Sequence, residues 1–155
     1  MRQIANCHIH SDHSGGNRQF PGVPIFVQRA EVAYLCATPD CSHAPSVADF
    51  PGAILEEIDG DAEPRPGIRI IPTAGHSPGH PSLVVETRDG RVIRGGQAVN
   101  LTSDYARQRY SLELRGEPHG PYPEWLARFQ ELDPWRMYFA HDMAAWERGG
   151  DTPIG

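Results

Sequence analysis

The segment His8-Ile9-His10-Ser11-Asp12-His13 packs three imidazoles and a carboxylate into six residues. Zinc and related ions take neutral imidazole nitrogens and carboxylate oxygens, and a hydrolytic site leaves one coordination position open to water. His8 and His10 lie two apart, so on an extended segment both side chains leave the same face, as a shared ion requires. Asp12 and His13 then fall in a turn that can aim them at a neighbouring position. A solvated polar loop or an affinity tag would also be rich in histidine. A tag, however, is a contiguous run, and it lacks both the interposed Asp12 and the Gly15-Gly16 that follows.

Two further segments add histidine. Thr73-Ala74-Gly75-His76-Ser77-Pro78-Gly79-His80-Pro81-Ser82 is a loop fixed by Gly and Pro between two expected strands, where scaffolds present ligands. Taken alone, His76 or His80 could simply cap a turn. Phe139-Ala140-His141-Asp142 sets a histidine directly after a short apolar strand, and by itself this reads as an ordinary loop residue. Together the three segments put histidines at successive strand ends, which is how an α/β scaffold assembles a site from distant sequence.

The rest of the chain must position these groups. Its 155 residues amount to one domain. Val, Ile, Leu and Phe make up one-fifth of it, enough for only a thin core, and Gly with Pro make up another fifth, which predicts many turns and disfavours a long-helix bundle. All 14 basic residues are Arg, so a lysine Schiff base or phosphate-loop lysine is excluded. A net charge of −6 with no run of Arg argues against a nucleic-acid or anionic-membrane surface, and the expected partner is a small molecule. There is no apolar run of membrane-spanning length and no charged-then-apolar leader, so a cytoplasmic protein is expected. Three cysteines in no framework spacing agree with a reducing compartment.

Strands are predicted at residues 2–7, 24–28, 53–58, 68–73, 82–87 and 91–94, with Asp89-Gly90 as a two-residue hairpin turn. Residues 29–35 read as a helix, and 36–52 as a long surface loop that could act as a lid. Residues 121–132 read as the clearest helix: Pro123 suits its first turn, and Trp125, Phe129 and Leu132 share one face. A short apolar strand over 137–140 ends at His141. Cys36, Cys41 and His43 could be drawn as a zinc knuckle, but no fourth ligand stands at the usual spacing and a loop with free thiols fits better. Cys7 reads as a small buried residue, His119 as a turn residue, and Trp135 and Trp146 as core.

The three histidine segments together resemble the metallo-β-lactamase superfamily of metal-dependent hydrolases. Gly15-Gly16-Asn17, Phe20-Pro21-Gly22, Ile25 to Glu31 and His80-Pro81-Ser82-Leu83 are more specifically similar to its N-acyl homoserine lactonase branch, the quorum-quenching enzymes. The likeness runs from about Arg2 to Asp142. It implies an αββα sandwich and two-metal, zinc-type hydrolysis of an ester or lactone, in which a hydroxide held by the metal attacks the carbonyl. It also implies that His8, His10 and His80 bind the first metal and that Asp12, His13 and His141 bind the second. Asp12 is the catalytic candidate, and His76 would orient ligands from behind. A thioester or phosphodiester hydrolase on the same scaffold is an alternative.

Three departures from that pattern matter. Gln97, in Gly95-Gly96-Gln97-Ala98, stands where the family carries its bridging aspartate, and a neutral amide cannot bridge two cations as a carboxylate does. One ion is therefore expected to bind tightly and the second weakly or not at all. Asn100 stands where the lactonases carry a tyrosine near the substrate. It can donate a hydrogen bond but cannot act as an acid, and neither Tyr105 nor Tyr110 is expected to replace it. Finally, family members have a run of strands before His-x-His, so residues 1–155 are expected to form a single domain lacking its N-terminal strands. The exposed sheet edge would then favour aggregation or a homodimer. Gln97, Asn100 and the missing strands support a second reading, that of a catalytically impaired metal-binding fragment.

Overall fold

A computed structural model describes residues 2–37, 49–117 and 124–150. Its strands divide into two sheets. β1 (Ile4–Ala5), β2 (Pro24–Gln28) and β3 (Ile54–Ile58) are parallel in that order, with Ile25 opposite both Ile4 and Leu55. In β2 the side chains of Ile25 and Val27 are buried and those of Pro24 and Phe26 only half so, the period-two pattern of a strand with one covered face. α1 (Ser11–Ser14) lies between β1 and β2, and α2 (Arg29–Ala37) starts directly from the end of β2.

The second sheet has six strands in chain order: β4 (Ala62–Arg65), β5 (Ile68–Pro72), β6 (Pro81–Thr87), β7 (Gly90–Arg94), β8 (Arg136–Tyr138) and β9 (Ala145–Glu147). Neighbours are antiparallel except β7 and β8, between which the chain runs through α3 (Thr102–Arg115) and α4 (Glu124–Leu132). That crossover is what a parallel pair needs. Val84, Ile93, Met137 and Trp146 stand opposite one another across β6 to β9, forming an apolar row on one face. With Ile71 they pack on Tyr105 and Ala106 of α3 and on Trp125, Leu126 and Phe129 of α4. Ile70 points to the opposite face from Ile71 and is also buried, so β5 is covered on both sides. The result is the two-sheet α/β sandwich that the sequence resemblance implies.

Most predicted elements appear within a residue or two of their expected bounds. The hairpin forms one residue early: Thr87 pairs with Gly90, so Arg88 and Asp89 make the loop, and Gly90 opens β7 at φ +123°. β4 was not expected, because Pro64 and its neighbours read as turn formers. It lies at the edge of the sheet, where a proline costs no ladder hydrogen bond. α3 was not expected either, since its buried face uses Thr102, Tyr105, Ala106 and Ser111 rather than aliphatic residues. Trp125 and Phe129 face the core and Leu132 packs against it, as their spacing predicted, and Trp146 joins them. Pro123, His119, Cys41, His43 and most of the expected 36–52 loop lie outside the described residues. Among the described residues no helix is long and apolar enough to cross a membrane.

Candidate metal centre

The chain leaves β1 at Ala5 and reaches His10 in extended conformation, with φ −64° and ψ 149°. The His10 carbonyl then accepts both Ser14 N–H and Ser14 Oγ–H at 2.9 Å, closing the single turn of α1. His10 therefore sits on extended backbone just before the helical turn, which carries Asp12 and His13 round to a second position. This is the division that the spacing predicted.

His76 comes from the loop between β5 and β6. Its Nε2 lies 3.1 Å from His10 Nδ1, and the His8 ring centre is 4.3 Å from that of His10 and 4.7 Å from that of His76. His141 follows β8. Its Nε2 lies 3.2 Å from His13 Nε2, while Asp12 Oδ2 lies 3.1 Å from His13 Nε2 and 3.8 Å from His141 Nε2. Three groups of described residues result, His8 with His10 and His76, Cys7 with His8 and His80, and Asp12 with His13 and His141, each holding its donor atoms within 4.8 Å of one another. In a tetrahedral site with zinc–nitrogen bonds near 2.0 Å, neighbouring nitrogens stand about 3.3 Å apart. The His10–His76, His13–His141 and Asp12–His13 approaches lie close to that edge, and the Asp12–His141 distance is longer.

One buried atom tests whether these residues suit an ion. His8 is fully buried, and its Nε2 has no hydrogen-bond partner among the described residues while Nδ1 lies 3.2 Å from Cys7 Sγ. A buried polar atom without a partner is costly unless a ligand satisfies it. Burial, reinforced by the charges of the neighbouring imidazoles, pushes the His8 pKa down to about 2 and lowers that of His13, so both rings are neutral, the form that binds metal. The Cys7 thiol, pushed up to about 11 by burial, also approaches His13 Nδ1 at 3.4 Å. It orients two rings from behind. A cavity of about 450 Å³ borders Cys7 and His13 but is lined by none of His8, His10, Asp12, His76 or His141.

The structure sets His76 beside His10 and His80 beside Cys7 and His8. His80 stands at the foot of the loop, where Thr73 N–H donates to its carbonyl at 2.8 Å and turns the ring inward. Both ring nitrogens are engaged: Nε2 accepts the Gln97 N–H at 2.9 Å, so Nδ1 carries the proton, and it donates to Thr73 Oγ1 at 3.0 Å. His80 is fully buried behind the cluster, within reach of Cys7 and His8, whereas His76 rides nearer the loop tip beside His10.

Gln97 lies at the rim, interacting with His13, and its Nε2 donates to Asn100 Oδ1 at 3.1 Å. Tyr105 is fully buried in the core and Tyr110 is exposed on α3, so neither takes the place of Asn100. Sequence reasoning missed Glu31, a fully buried carboxylate that accepts the Ile9 N–H and the Gly79 N–H. Its signal was an acid set among Ile25, Val27, Ala30 and Val32.

The family model described as the metallo-beta-lactamase superfamily matches residues 2–141. The chain belongs to that superfamily. An N-acyl homoserine lactonase from Bacillus sp is 33% identical over 94% of this chain and 57% of its own length. The N-acyl homoserine lactonase AttM from Rhizobium radiobacter is 32% identical over 60% of this chain and 39% of its own. A solved N-acyl homoserine lactone hydrolase with the product N-hexanoyl-L-homoserine at its catalytic metal center superposes with a TM-score of 0.68 at 29% identity, covering 92% of this chain and 56% of that one. The match to this superfamily member thus covers between 39% and 57% of the length of these relatives.

Proposed function

We propose that this chain carries the metal centre of a hydrolase that opens small esters or lactones, with N-acyl homoserine lactones as the substrate class and zinc as the metal. One observation carries the reading: the unpartnered, buried Nε2 of His8 lies among imidazoles whose nitrogens are spaced like the edges of a zinc site. The likeness to the lactonases supports the choice of substrate.

In this reading His8, His10 and His76 hold one ion, and Asp12, His13 and His141 hold the other. When bound, such ions polarise a carbonyl and lower the pKa of water. The protein's own residues orient and exclude. Cys7 holds the His8 and His13 rings from behind, and His80 fixes Gln97 through its backbone N–H. Asp12 would hold its ion through Oδ2, the oxygen that faces His13 and His141, and with 58% of its side chain exposed its Oδ1 is the atom that could pass a proton between solvent and substrate. Asn100 can donate a hydrogen bond to the carbonyl or the leaving oxygen but has no proton to give up as an acid.

Gln97 favours a second reading, a centre that binds metal with little turnover. Its amide leaves the two positions without a shared carboxylate, so one ion is held tightly and the other weakly. Metal analysis after exhaustive dialysis, combined with lactone turnover, tests both readings on the chain and on Gln97→Asp. About one equivalent retained, rising toward two with a gain in turnover in Gln97→Asp, is the expected result. Two equivalents in the unaltered chain would overturn the role assigned to Gln97. No retained metal in either protein would overturn the metal-centre reading itself.

A further inference from the structure

Glu31 lies in the first turn of α2, is fully buried, and makes no ion pair among the described residues. A carboxylate can only accept hydrogen bonds, and burying one is costly unless donors face it. Both donors here are backbone groups from segments that carry metal-ligand candidates. Glu31 Oε2 accepts the N–H of Ile9, the residue between His8 and His10, at 3.3 Å. Its Oε1 accepts the N–H of Gly79, in the loop that bears His76, at 2.9 Å. A side chain at Gly79 has no room, since its Cβ would fall 2.4 Å from Glu31 N and 2.8 Å from Glu31 Cγ. The His76 loop is thus seated directly on the start of α2.

We propose that Glu31 is a positioning residue that ties the His8-x-His10 segment to the His76 loop, so that the three imidazoles converge before any ion arrives. This rests on the reading that His8, His10 and His76 bind a divalent ion. Two segments far apart in the chain meet at the 3.1 Å approach of His10 Nδ1 and His76 Nε2, and Glu31 bonds to the backbone of both. A ligand pair fixed in advance spares the ion the ordering cost of the loops. Glutamine at position 31 would keep the shape but turn an NH2 group toward one of the two N–H donors, breaking one side of the tie.

Cobalt(II) titration of the full chain, read by visible absorption in competition with a chromophoric chelator, tests this on the unaltered protein and on Glu31→Gln. Both are measured where circular dichroism shows them folded. The expected result is a loss of affinity of about 10- to 100-fold in Glu31→Gln, the range seen when groups behind ligands are removed, with a changed d–d spectrum. Unchanged affinity and spectrum would overturn the role of Glu31 and leave the metal reading standing. Failure of the unaltered chain to bind cobalt would overturn both. A second measurement needs no variant: in the metal-free, unaltered chain the Ile9 and Gly79 amides should exchange slowly with solvent, and exchange at the rate of open loops would overturn the proposal.

Discussion

The Asp142 carboxylate accepts the backbone N–H of Thr102 at 2.7 Å, so the first turn of α3 is capped by the residue that follows His141. The helix's own N-cap, Leu101, has no side chain able to do this. Asp142 Oδ1 also accepts the Ala144 N–H at 2.9 Å, which closes the loop on the far side of His141. One side chain therefore joins a metal-ligand candidate to the helix that backs the core. Asp142→Ala should lower the melting temperature and also weaken metal retention, because the His141 loop loses two of its anchors and keeps those from Ala140 N–H to Gly96 and from Thr102 Oγ1 to Ala144. Thermal unfolding followed with and without added zinc checks this, and an unchanged metal-free transition would count against the capping role.

His76 and His80 should respond differently to the same truncation. His76→Ala removes a ring that lies beside His10 and should abolish tight metal binding with little change in metal-free stability. His80→Ala removes a fully buried ring and strands the Gln97 N–H, while Thr73 Oγ1 keeps Ser82 Oγ as a partner. Leaving a buried donor unsatisfied costs about 1–3 kcal/mol. His80→Ala should therefore lower the urea midpoint of the metal-free protein, and His76→Ala should not. Equal effects of the two variants on both properties would contradict the positions described for these rings.

How much of this could be read in advance depends on distance along the chain. His8, His10, Asp12 and His13 were legible because six residues of local backbone, extended and then turned, decide where they point. His76 and His80 were not distinguishable in that way: both lie in one Gly/Pro loop, and only the Thr73–His80 backbone pairing decides which ring turns inward. α3 escaped because Thr102, Tyr105, Ala106 and Ser111 carry its buried face, and hydrophobic periodicity is blind to such a stripe. Glu31 escaped because an acid in the first turn of a helix ordinarily faces water and favours the helix dipole. Its partners lie 22 and 48 residues away, and nothing local announces them.

Gly96 joins the His80 position to the rim. It has φ +57°, and a Cβ there would fall 2.6 Å from Cys7 Cβ and 2.7 Å from His80 Nε2. Neither neighbour can yield: Cys7 supports His8 and His13, and His80 holds the Gln97 N–H. Gly96→Ala therefore combines an unfavourable backbone angle with overpacking, each worth about 1–3 kcal/mol. The expected outcome is a clear loss of stability together with weaker metal binding. Calorimetric unfolding and a zinc competition assay would show it, and a variant as stable as the parent would mean that the close approach of Gly96, Cys7 and His80 is not maintained in solution.

Tyr105 offers a pH test away from the metal ligands. Its ring is fully buried against Phe129, Phe139 and Trp146, and burial, opposed in part by the neighbouring Arg109 guanidinium, pushes its pKa up to about 12. In the unfolded chain a tyrosine ionises near pH 10. Between about pH 10 and 12 the unfolded state therefore releases a proton that the folded state retains. By linkage, stability is unaffected below that window and falls as pH rises through it. Tyr105→Phe removes this proton, so it should flatten the alkaline decline. Melting temperatures of the two proteins from pH 8 to 12 check the sign. A decline of equal depth in both would show that the Tyr105 hydroxyl already reaches solvent, and would remove the ground for keeping it apart from the reaction.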